Sequence, residues 1–75
     1  SDQSFSMAIL NSRGDGAALS ALHSRDECRV YAKAIINGES HHTLTDEEKE
    51  AVAMAMREIA SSKEDLAKIA RNNSP

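Results

Sequence analysis

The longest run of regularly spaced apolar positions lies between Leu44 and Asn72, where Val52, Met56, Ile59, Leu66 and Ala70 follow the three-and-four alternation of one helix face. Lys49 and Lys63 occupy two positions where that alternation asks for another apolar side chain, so the stripe is narrow and broken. The run opens with Thr45-Asp46-Glu47-Glu48. The threonine hydroxyl can accept from a free N–H of the first turn, Glu48 can reach back to the threonine's own N–H, and three carboxylates suit the positive end of the helix dipole. A helix therefore starts at Asp46. Ser61-Ser62-Lys63-Glu64-Asp65 interrupts the stripe and repeats the start signal more weakly, which leaves two helices, about 46–60 and 63–72, or one helix of roughly seven turns, with two helices or a kink at the serines preferred.

Upstream, Cys28, Tyr31, Ala32 and Ile35 stand at i, i+3, i+4 and i+7 behind a second capping pattern, Ser24-Arg25-Asp26-Glu27. Asn37-Gly38 follows, with a glycine suited to a left-handed cap. The spacing predicts a helix over 24–37 at the centre of the fold. Ala17 to Leu22 reads as a shorter helical run with Leu19 and Leu22 on one side. In Phe5-Ser6-Met7-Ala8-Ile9-Leu10 the alternation of Phe5, Met7 and Ile9 fits a strand, and Met7 to Leu10 fits a helical turn or two. With no second strand-like segment in view, helix is the expectation; a lone strand would have to pair across a dimer.

Asn11 to Gly16 is a turn by composition, and Glu39 to Thr43 is a polar connection of hairpin length. The ends, 1–4 and 73–75, are expected to fray. The whole of 1–75 thus reads as one all-α domain, a small three- to four-helix bundle or helical hairpin with a short N-terminal helix, as a monomer or a dimer.

Composition sharpens the question of a partner. Leu, Ile, Val and Phe make up 13 of 75 residues, and a core in so short a chain supplies only about 3 to 5 kcal/mol. One cysteine rules out an internal disulfide, and a net charge of −3 is too small for a fully disordered chain. A thin core is commonly completed by self-association or by another protein, so a homodimer or a protein partner is expected. Acidic and basic residues are evenly spread, and without a basic stripe nonspecific nucleic-acid binding is disfavoured. The absence of a transmembrane run or secretory pattern, with a single thiol, predicts a cytoplasmic protein with no membrane partner.

Candidate chemistry is sparse. His41 and His42, with Glu39 nearby and Cys28 or His23 brought close, lack the paired spacing of a metal site and read as an exposed loop. Cys28 neighbours Arg29 and Arg25, which favour a thiolate, but its place on the apolar stripe predicts a buried core thiol. Arg13-Gly14-Asp15 resembles the cell-attachment tripeptide read by integrins; three residues recur often, and a plain turn is the expectation. Ser62 to Ala70 is similar to the first helix of a helix-turn-helix, a motif that needs a recognition helix after it. No phosphate loop, nucleophile elbow or carboxylate pair is present, so neither enzyme activity nor a cofactor or metal is expected.

The expected function is a non-enzymatic interaction or regulatory module. The stripe reads in the first place as an intramolecular core face; as a working surface, an Ala- and Met-rich helix face would bind a protein partner or self-associate, with Val52, Met56, Ile59, Lys63, Leu66 and Ala70 as its contact residues. The alternative is a small nucleic-acid-associated regulator using Arg25, Arg29 and Lys33, which fall at i, i+4 and i+8 of the expected helix 24–37.

Overall fold

The computed structural model describes residues 3–72. Three strands, β1 (Gln3–Leu10), β2 (Gly16–His23) and β3 (Cys28–Ile35), precede one helix, α1 (Asp46–Asn72). The strands form an antiparallel sheet in the order β1-β2-β3. Register runs through Met7, Leu19 and Ala32, and through Ala8, Ala18 and Lys33. The fold is therefore mixed α and β, and the all-α bundle or hairpin expected from periodicity is wrong. The segments expected as helices at 5–10, 17–22 and 24–37 are strands and turns.

The physical reason is mutual support. Gly16-Ala-Ala-Leu-Ser-Ala-Leu-His23 contains good helix formers, yet between two strands every one of its eight residues gains a ladder partner on each side, and tertiary context of that kind overrides intrinsic propensity. In β3 the helical spacing is a coincidence laid over a period of two. Cys28, Val30, Ala32 and Ala34 share one face, and Arg29, Tyr31, Lys33 and Ile35 share the other.

The expected helix punctuation turns out to be hairpin punctuation. Ser24-Arg25-Asp26-Glu27 closes the β2–β3 turn, with the Ser24 N–H donating to the Glu27 carbonyl at 2.9 Å. Asn37 and Gly38 take φ of 52° and 79° in a two-residue turn whose Ile36 and Glu39 exchange backbone hydrogen bonds of 2.8 and 3.0 Å. Of the ends expected to fray, Gln3 and Ser4 lie at the start of β1; residues 1, 2 and 73–75 lie outside the described residues.

The turn between β1 and β2 accounts for Arg13-Gly14-Asp15. The Asn11 side-chain oxygen accepts from the Arg13 and Asp15 N–H groups at 2.9 and 3.1 Å. Asp15 accepts from the Asn37 N–H at 2.8 Å, and the Gly38 N–H donates to the Gly14 carbonyl at 2.9 Å. Gly14 has φ +85°, and a Cβ there would lie 3.0 Å from the Met56 sulfur. The tripeptide is thus a structural turn, with its glycine buried and its carboxylate engaged.

The helix begins where the sequence places it. The Thr45 N–H donates to Glu48 Oε1 at 2.8 Å and the Glu48 N–H donates to Thr45 Oγ1 at 3.1 Å, a complete capping box. It then continues unbroken to Asn72 through Ser61 and Ser62, the single helix of the two alternatives and not the preferred break. Serine lowers helix propensity only modestly, both serines are exposed, and no Gly or Pro stands nearby to force a break.

One helix face rests on β1 and, to a lesser extent, β2. Ala18, Ile35 and Val52 form the buried cluster, with Ala8, Leu10, Leu44 and Met56 against it. Every residue from Ala60 to Asn72 is exposed, so the last three turns of a helix roughly 40 Å long extend past the sheet, and the long dimension of the molecule reaches 61 Å. No helix among the described residues is long and apolar enough to cross a membrane.

Candidate functional site

Strand alternation gives the sheet two unlike faces. Toward α1 it presents Ser6, Ala8 and Leu10 from β1, Ala18 and Ser20 from β2, and Tyr31, Lys33 and Ile35 from β3. At the centre of this face Glu48 is fully buried. Lys33 Nζ donates to Glu48 Oε1 at 2.8 Å and the Ser20 hydroxyl donates to Oε2 at 2.7 Å. Because the Ser20 proton is committed there, Ser6 must donate to Ser20 across their 2.7 Å contact. The Lys33 ammonium, then the Thr45 N–H, then the Ser20 hydroxyl lower the Glu48 carboxyl to about 2. With every partner satisfied, this cluster fastens helix to sheet.

Among the described residues the opposite face has no such cover. Three consecutive cross-strand rows are wholly apolar: Phe5, Ala21 and Val30; Met7, Leu19 and Ala32; Ile9, Ala17 and Ala34. Phe5 is 60%, Ile9 59% and Val30 66% exposed, and Ala21, in register between Phe5 and Val30, is buried. No charged side chain interrupts the nine positions. A fourth row, Gln3, His23 and Cys28, closes one end. At strand spacings the patch measures roughly 20 by 14 Å. Its accessible apolar surface, on the order of 500 Å², reaches the range where exposed patches on soluble chains serve association.

The residues expected to bind a partner are divided by the structure. Val52 is buried and Met56 is lodged over the Gly14 and Gly38 turns, so both are occupied by the chain's own core. Ile59 is half-buried, and with Lys63 and Leu66 it borders an open groove of about 550 Å³ against Leu10 and Ser12. Ala70 lies on the projecting part of the helix.

The expected basic helix edge does not form, because 24–37 is not helical. Arg25 lies in the β2–β3 turn. Arg29 pairs with Glu27 at 3.1 Å and Lys33 with Glu48 at 2.8 Å. Tyr31, and next Glu27, hold the Arg29 guanidinium above its ordinary value. Cys28, expected in the core, is exposed. It pairs in register with His23 at the start of β3, whereas His41 and His42 lie beside Ala34 and Ile36 at its finish. Among the described residues no three His, Cys, Asp or Glu side chains converge as a metal site would require.

A family model described as a protein of unknown function, DUF4446, matches residues 1–56. The chain belongs to the DUF4446 family. The matched span contains all three strands of this DUF4446 chain, the Glu48 cluster and α1 as far as Met56, and so includes both faces of the sheet. No curated protein and no solved structure matches the chain.

The apolar face was within reach of the sequence. Phe5, Met7 and Ile9 alternate visibly, and Ala17, Leu19 and Ala21 and then Val30, Ala32 and Ala34 continue the same parity. Asn37-Gly38, a strong turn signal, closes a tight turn just past β3 through the isolated bridge between Ile36 and Glu39.

Proposed function

We propose that this DUF4446 chain is a non-enzymatic interaction module whose working surface is the uncovered sheet face. The single observation that carries this reading is the set of nine apolar positions, free of charge, on the face opposite α1. An antiparallel sheet usually turns its apolar alternation toward the core and its polar alternation toward water. Here the covered face mixes Ser6, Ser20 and Lys33 with Ala8, Leu10, Ala18 and Ile35, while three consecutive rows of the bare face are wholly apolar. Such a face is stable in water only at a cost that a bound surface removes. The single free thiol of Cys28 supports a reducing compartment such as the cytoplasm.

Carbene footprinting tests the proposal. Labelling of Phe5, Met7, Ile9 and Val30 in cells of the native host is expected to fall at least several-fold below that of the dilute purified chain, with Leu66 labelled equally in both. Equal labelling of the sheet face in the two conditions would overturn it.

A further inference from the structure

Resting on the docking-surface reading, we infer that the occupant of the bare face is a second copy of this chain, packed sheet to sheet about a two-fold axis parallel to the strands. Three observations favour a copy. The face has no formal charge along its three apolar rows, so two chains of net charge −3 meet there without like charges in contact. The area suffices: about 500 Å² from each copy gives on the order of 1,000 Å², the threshold of a specific interface and consistent with a Kd in the micromolar range.

The third observation is relief. The large side chains form one column on β1, Phe5, Met7 and Ile9, while β3 opposite them holds Val30, Ala32 and Ala34. A two-fold axis along the strands places β1 of each copy over β3 of the other, so that Met7 sits over Ala32 of the partner subunit and Ile9 over the partner subunit's Ala34. Leu19, in the middle of the middle strand, meets its own equivalent on the axis. An axis across the strands would instead stack the large column on itself and leave the alanines facing a void. An isologous contact of this kind closes on itself, with one α1 on each outer side of two sheets about 10 Å apart.

Sedimentation in reducing buffer, which excludes disulfide pairing through Cys28, tests this. The chain at about 100 µM is expected to show twice its 8.1 kDa mass. Met7→Ala leaves two voids in a homodimer and Ala32→Met creates two clashes, so each variant alone is expected to weaken association at least tenfold. Their equimolar mixture is expected to restore the dimer, because in the mixed pair each contact between positions 7 and 32 again joins one methionine to one alanine. Circular dichroism of each variant confirms that it is folded. A wild-type monomer at 100 µM, or a mixture no more dimeric than its components, overturns the inference. A monomer whose sheet face is nonetheless protected in cells removes self-association alone and leaves the docking surface standing; an unprotected face removes both.

Discussion

The two faces of one three-stranded sheet obey opposite rules. On the covered face a small apolar cluster surrounds an ion pair, and polar residues outnumber large apolar ones. On the bare face nothing is polar between Phe5 and Ile9 or their cross-strand partners. The difference shows that cover and hydrophobicity are separate properties here. α1 is held by a specific hydrogen-bonded anchor together with a small apolar contact, while a continuous apolar area lies on the other side.

Removing the anchor is expected to have the largest effect. Glu48→Ala leaves the Lys33 ammonium, the Ser20 hydroxyl and the Thr45 N–H without their shared acceptor, a loss of about 3 kcal/mol. In a domain of this size that loss removes most of the stability, visible as loss of the helical signal in thermal melts. Acid sharpens the same point. A carboxyl lowered from its ordinary 4.5 to about 2 contributes stability that is full above pH 4.5 and disappears as pH falls toward 2. Acid titration of the melting temperature is expected to show this decline, and Glu48→Gln to flatten it.

A matched pair then compares the faces directly. Val52→Ala, at a position 5% exposed, is expected to cost about 2 kcal/mol, and Val30→Ala, at one 66% exposed, less than about 0.5 kcal/mol. Urea melts below the association range measure both; equal losses would mean that the outer face is already buried within one chain. Smallest of all, Leu66→Ser on the projecting helix is expected to change stability by less than about 0.5 kcal/mol and to leave association untouched.

How far the sequence revealed this arrangement differs between segments. The start of α1 was legible because a capping box is a local object: Thr45 and Glu48 satisfy each other without help from the rest of the chain. Val52 and Met56 were legible as an apolar stripe, and its reading as a face of the chain's own core holds for these two. The strands were not legible one at a time. Ala17 to Leu22 looks helical alone, and only pairing with both neighbours makes it a strand. Ser24 to Glu27 and Asn37-Gly38 misled for a related reason, since short polar turns and helix caps use the same residues to satisfy the same backbone groups. The candidate surface followed the same rule: its nine residues come from three segments and form one patch only in register.

The meander order has a consequence in time. Every ladder joins segments adjacent in the chain, so no distant loop need close before pairing begins, and topologies of this kind fold quickly. The β1–β2 hairpin is expected to form on the scale of about 1 to 10 μs, with β3 adding to its open side and α1 docking last through Glu48 and Met56. Until that docking, both sides of the young sheet face water. The docking of Glu48 between Lys33 and Ser20 sets which of the two α1 covers and which is left for another surface.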